Sequence, residues 1–156
     1  MKKFLIVLLC AAFMSISVYA QKISTDKVPA VVASAFKTKF PNATKVNWEL
    51  ENANEYEAEF KLNGEEMSAS YDKEGKWMET ETEIKISALP AAVQSALKKN
   101  FADYKVEEAS KIESSKNGEC FEAEIEKGEE SFDVLFTPEG KMLSKTKREK
   151  EKGDKD

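Results

Sequence analysis

Apolar residues recur at threes and fours in two stretches. Val28, Val31, Val32, Ala35, Phe36 and Phe40 share one helical face, and Leu89, Ala92, Val93, Ala96, Leu97 and Phe101 form a second. Both stretches predict helices. Pro29 and Pro90 suit the first turn, where a missing N–H costs nothing, and Pro41 stops the first helix after Phe40. The second helix lacks that stop and fades between Asn100 and Asp103. After each helix the period drops to two. Val46, Trp48 and Leu50 alternate with Lys45, Asn47 and Glu49; Tyr56, Ala58, Phe60 and Leu62 alternate with Glu55, Glu57, Glu59 and Lys61; Met67, Ala69 and Tyr71 alternate with Glu66, Ser68 and Ser70. These are strands with one apolar face. Asn63-Gly64 is a hairpin signal, because both central residues of a type I′ turn need positive φ. Asp72-Lys73-Glu74-Gly75 turns the chain again into a strand from Lys76 to about Ile86.

The later part of the chain follows the same scheme, with Phe121, Ala123 and Ile125, then Phe132, Val134 and Phe136, and turns at Lys127-Gly128 and Thr137-Pro138-Glu139-Gly140. Val28-Pro29-Ala30 through Phe40 matches Leu89-Pro90-Ala91 through Phe101 at an offset of 61. Tyr56-Glu57-Ala58-Glu59-Phe60 matches Phe121-Glu122-Ala123-Glu124-Ile125 at an offset of 65, as Gly75-Lys76-Trp77 matches Gly140-Lys141-Met142. Agreement in type and order over separate segments indicates a duplication. The expected fold is α+β: two tandem repeats, each one helix packed on a four-stranded antiparallel β-meander, at residues 21–86 and 87–146. A unit of this size buries only ~60% of its chain's surface, so the copies are expected to pack together or to join edges.

The ends change the picture. Lys2 and Lys3, the apolar run Phe4 to Met14 and the closing Val18-Tyr19-Ala20 make residues 1–20 a secretory signal peptide, with cleavage expected after Ala20 and a periplasmic or secreted address. The run is too short for a bilayer core of ~30 Å, so no membrane insertion is expected. Residues 147–156, in a charged stretch that begins at Lys145, are expected to be a disordered tail. Loss of Lys2 and Lys3 takes the formal charge from -5 to -7, and an acidic body argues against nucleic acid. Cys120 is then the only cysteine left, so no intrachain disulfide forms. The absence of His removes the commonest general base and imidazole metal sites. No catalytic residue, metal ligand or cofactor is expected, and the chain reads as a non-enzyme.

The export signal, the helix starts Val28-Pro29-Ala30-Val31-Val32 and Leu89-Pro90-Ala91-Ala92-Val93, the Tyr56-Glu57-Ala58-Glu59-Phe60 strand and the Asp-x-x-Gly-Lys turn resemble the beta-lactamase-inhibitor-like, PepSY-like family of small exported bacterial proteins. The resemblance covers both copies, roughly residues 24 to 145. It implies the helix-plus-sheet fold, the tandem arrangement, the export address and an inhibitory or protein-binding role. It carries over no catalytic residue.

Alternation places Glu57 and Glu59, and Glu122 and Glu124 in the second copy, on the sheet face opposite the helices. With Trp77, an aromatic of the kind that anchors partners, these are the candidate partner-binding residues. The functional reading is an acidic docking face for an unidentified protein with a basic surface, the chain itself being a monomer or weak dimer. The bland reading is a solvated strand face kept soluble by like charge. A small-ligand or cation-binding envelope protein is the alternative, although no loop gathers Asp, Asn and Gly as calcium loops do. Glu79, Glu81 and Glu83 also alternate, on a face that depends on register. Trp48 reads as core and Cys120 as an inert thiol pointing with the glutamates.

Overall fold

The computed structural model describes residues 21–148, so the expectations placed on residues 1–20 and 149–156, the signal peptide with its cleavage and most of the tail, lie outside them. The described residues form nine strands and two α-helices: β1 (Gln21–Ile23), α1 (Ala30–Lys39), β2 (Thr44–Asn52), β3 (Glu55–Leu62), β4 (Glu65–Asp72), β5 (Trp77–Ile84), α2 (Ala91–Asn100), β6 (Lys105–Ser114), β7 (Gly118–Lys127), β8 (Glu130–Phe136) and β9 (Met142–Lys147). The fold is α+β, with one antiparallel sheet whose strand order follows the chain. Two compact units divide it, one of residues 21–83 with Ile112–Gly118 and one of Ile84–Lys111 with residues 119–148.

In the first unit Val28, Val32, Phe36 and Phe40, each four apart, are buried against Trp48, Ala58, Phe60, Ala69 and Tyr71. Ala58 and Ala69 are direct cross-strand partners and fully buried. Their small side chains let the helix come down between larger neighbours. Phe36 then meets Phe60, Trp48 and Tyr71 edge-on, at centroid distances of 5.1, 5.3 and 6.4 Å. That edge-to-face geometry suits the ring quadrupoles. The second unit buries Leu89, Val93 and Leu97 against Ala109, Phe121, Ala123, Ile125, Val134 and Phe136. Leu97 and Ile125 stand at the offsets of Phe36 and Phe60, so this core is mostly aliphatic.

Several details differ from expectation. Pro29 and Pro90 sit at the N-cap with extended ψ of 136° and 144°, one residue outside each helix. The residue before a helix keeps non-helical backbone, and proline's fixed φ tolerates that position as well as the first turn. β1 was not anticipated; it adds a short strand that pairs Gln21–Ile23 with Leu50, Glu49 and Trp48. Lys145 to Lys147, expected in the charged tail, complete β9 on β8. Asn63 and Gly64 both take positive φ, 54° and 93°, as the hairpin requires.

A bulge recurs before each final strand. Ser70 pairs with Glu79 but Tyr71 with Trp77, and Leu135 pairs with Ser144 but Phe136 with Met142. In both, two residues of the last strand face one of its neighbour.

Candidate carboxylate face

The bulge decides which side chains meet. Parity alone puts Trp77, Glu79 and Glu81 on one face of β5; the inserted residue moves Trp77 to the helix side, where it packs half-buried against the first core. Its Nε1 donates to Thr80 Oγ1 at 2.9 Å, and Lys39 Nζ lies 4.2 Å from the ring centroid. Trp77 therefore does not join the glutamates. Trp48 is core, as expected.

On the opposite face, register aligns a row across five strands: Lys22 with Glu49, Glu49 with Glu57, Glu57 with Ser70, and Ser70 with Glu79. A neighbouring row runs Asn47, Glu59, Ser68, Glu81. The face is not the solvated one expected from alternation. Glu57 is 4%, Glu81 5%, Glu79 6% and Glu49 8% exposed. Ser68 and Ser70 are buried between them, and Glu51 and Glu59 are half-buried. Side chains of adjacent strands stand only ~5 Å apart and shield one another, which alternation within a single strand does not reveal.

Burial without matching positive charge raises the carboxyl pKa of Glu57, Glu79, Glu51 and Glu59. It pushes the Glu57 carboxyl well above the usual range; a Ser68 hydrogen bond counters this, and the Glu51 and Glu81 charges add to it. Glu79 is pushed up to about 7 by burial and then by Glu81 and Glu55. Glu51 is raised by burial, with a countering hydrogen bond from Glu57, and Glu59 by burial and the Glu49 charge. Glu57 Oε1 has no hydrogen-bond partner among the described residues. The Lys22–Glu49 contact, at 3.8 Å, sits at the β1 edge.

In the second unit Glu122 and Glu124 are half-buried on β7. Glu124 lies opposite Asp133, and Arg148 bonds Glu124 and approaches Asp133 with Nε at 3.6 Å. Arg148 escaped the sequence reading because it stood in a charged run with no periodic pattern. Cys120 is buried. Among the described residues no group of three or more His, Cys, Asp or Glu is arranged to hold a metal ion, and no helix is long and apolar enough to cross a membrane.

Chemically, the face offers carboxyl and carboxylate oxygens in rows, with hydroxyls between them. It suits donor-rich groups. The family model described as beta-lactamase-inhibitor-like, PepSY-like matches the chain twice, at residues 11–70 and 54–144. Among solved structures, a protein described as periplasmic from Bacteroides eggerthii is 23% identical, with a TM-score of 0.70 over 77% of this chain and 88% of that one. A BLIP-like protein from Bacteroides fragilis is 28% identical, with a TM-score of 0.64 over 75% of this chain and 84% of that one. No curated protein matches the chain.

Proposed function

We propose, starting from the fact that this chain belongs to the beta-lactamase-inhibitor-like, PepSY-like family, that it works outside the cytoplasm as an inhibitor-like module which binds another protein through the carboxylate face opposite its helices. The fold class and the likeness to a BLIP-like protein support a non-catalytic binding role. The observation that carries the choice of face is the aligned row Glu49, Glu57, Ser70, Glu79, where acid is concentrated beyond what Lys22 neutralises. Acidic groups gathered at low dielectric favour a partner that brings positive charge and donors. Glu57 and Glu59 are the central contacts of the first unit, and Glu122 and Glu124 those of the second. Trp77, held under Lys39 on the other face, has its role in packing. The repeats are read as two copies of one helix-plus-meander unit, 21–86 and 87–146, exported by cleavage after Ala20 and acting as a monomer or weak dimer.

The test is capture from a periplasmic extract by the immobilised protein and by a Glu57→Gln/Glu59→Gln variant whose fold is checked by circular dichroism. The variant is expected to lose the captured protein, and capture by the parent to weaken as salt is raised from 50 to 300 mM. Capture that is equal in both, at every salt, returns the face to a structural role.

A further inference from the structure

The two units answer the crowding of acid in different ways. In the second, β7 and β8 set Glu124 opposite Asp133, and the chain's own Arg148 closes on both. Its backbone N–H donates to the Ser131 carbonyl at 2.9 Å, which fixes where the guanidinium is presented. At the sequence offset of 65, Glu59, Ser68 and Glu83 occupy the places of Glu124, Asp133 and Arg148. The first unit thus carries an acid where the second carries its guanidinium. Independently of that comparison, the first unit contains an oxygen in need of a donor: Glu57 Oε1, on a side chain 4% exposed, has no hydrogen-bond partner among the described residues. Buried oxygens are ordinarily bonded, and an orphan beside like charges points to a missing donor.

We infer that the carboxylates around Glu57 and Glu59 form a seat for an arginine side chain presented by a partner protein, the intermolecular counterpart of Arg148 in the second unit. The inference rests on the reading of this face as the docking surface and names what the partner inserts. Arginine fits better than lysine. Its planar fork carries five donors and bridges two oxygens on neighbouring strands, as Arg148 does, and it gives up its hydration more readily than an ammonium. The half-buried Glu51 and Glu59 flank Glu57 and are the side from which the stem enters. The first unit is the receptive one, because in the second the equivalent place is already filled from within.

The experiment uses the full exported chain and a fluorescein-labelled Gly-Arg-Gly-Arg-Gly peptide, with its lysine counterpart, read by anisotropy at 50 mM salt. One arginine peptide per chain is expected, with the lysine peptide at least fivefold weaker. Glu57→Gln and Glu59→Gln, made singly and with folds confirmed, are each expected to weaken binding about tenfold, and Glu139→Gln, in the exposed turn before β9, to leave it unchanged. Arg148→Ala is expected to raise the stoichiometry from one to two. Equal affinity for the lysine peptide, equal weakening by Glu139→Gln, or a stoichiometry unchanged by Arg148→Ala overturns the assignment. So does a chain ended at Arg148 that binds more tightly than the full chain, since its own last residues would then be the occupant. Failure of peptide binding with persistent capture in the preceding experiment removes the arginine seat and leaves the docking face standing.

Discussion

Tyr71 is a residue whose surroundings fit only part of it. Its ring lies in the first core against Phe36, but its hydroxyl has no hydrogen-bond partner among the described residues, and burial pushes its pKa up to about 12. A buried hydroxyl that gains no bond has lost its bonds to water, a cost of about 1–3 kcal/mol. At the offset of 65 the second unit places Phe136, fully buried. Tyr71→Phe is therefore expected to be neutral or to stabilise by up to ~1 kcal/mol, as read from denaturant midpoints. A loss of 1 kcal/mol or more would show that the hydroxyl is satisfied after all. Phe60 is the opposite case: its ring packs on Phe36 and Phe40 at 5.1 and 4.7 Å, and Phe60→Ala is expected to cost about 3–5 kcal/mol by the same measurement.

Between elements, each helix is tied to its meander by a glycine. Gly75 and Gly140 end the turns before β5 and β9 with φ of 81° and 80°. A Cβ on Gly75 would stand 2.9 Å from the Val31 carbonyl oxygen, and one on Gly140 2.5 Å from that of Ala92. Glycine is thus required twice at each place, once for the left-handed backbone and once for the approach of turn to helix. Asp72 supports the first of these turns by accepting from the backbone N–H groups of Glu74 and Lys76 at 3.0 and 2.9 Å. Turn chemistry thus accounts for Asp72. Gly128 also has positive φ, 60°, yet nothing lies within 4 Å of its added Cβ. Gly140→Ala is expected to destabilise by about 2–4 kcal/mol, because it combines strain with a clash, and Gly128→Ala by only about 1 kcal/mol. Thermal unfolding of the two variants compares them directly. Equal losses would mean that the turn–helix approach relaxes without cost.

At the scale of the molecule, the carboxylate face makes stability depend on pH in an unusual direction. Glu79 has a pKa of about 7 in the fold against 4.5 unperturbed, and Glu57, Glu51 and Glu59 are shifted the same way. A raised carboxyl pKa means that the native state holds its proton more tightly than the unfolded chain does. The contribution is then full below pH 4.5 and is lost as pH climbs through about 7. For Glu79 it amounts to at most about 3 kcal/mol. Exposed Glu66, held low by its bond to Lys61, acts in the other direction and weakly, since solvent screens it. The thermal midpoint is expected to fall between pH 5 and pH 8, and Glu79→Gln to flatten that fall by raising the midpoint at pH 8. A midpoint that rises over this range contradicts the account.

What the sequence determined by itself was local. The 3.6 and 2 periodicities mark both helices and the main strands, because each element buries one face and its own residues record which. Asn63-Gly64 and Gly75 announce their turns because positive φ selects residue types directly. The family was legible in the same residues, which are structural ones. What only the tertiary structure decided was the carboxylate face. Alternation assigns Glu57 a side of β3 but not its surroundings; those come from register, which brings Glu49, Ser70 and Glu79 alongside it. The bulge between Ser70 and Tyr71 adds one residue to β5, and with it Trp77 leaves the face of Glu79 for the helix side. Arg148 reaches Glu124 and Asp133 only because β9 pairs with β8 as far as Lys147. Periodicity is a property of one strand, whereas burial, proton affinity and ion pairing are set by the strands beside it.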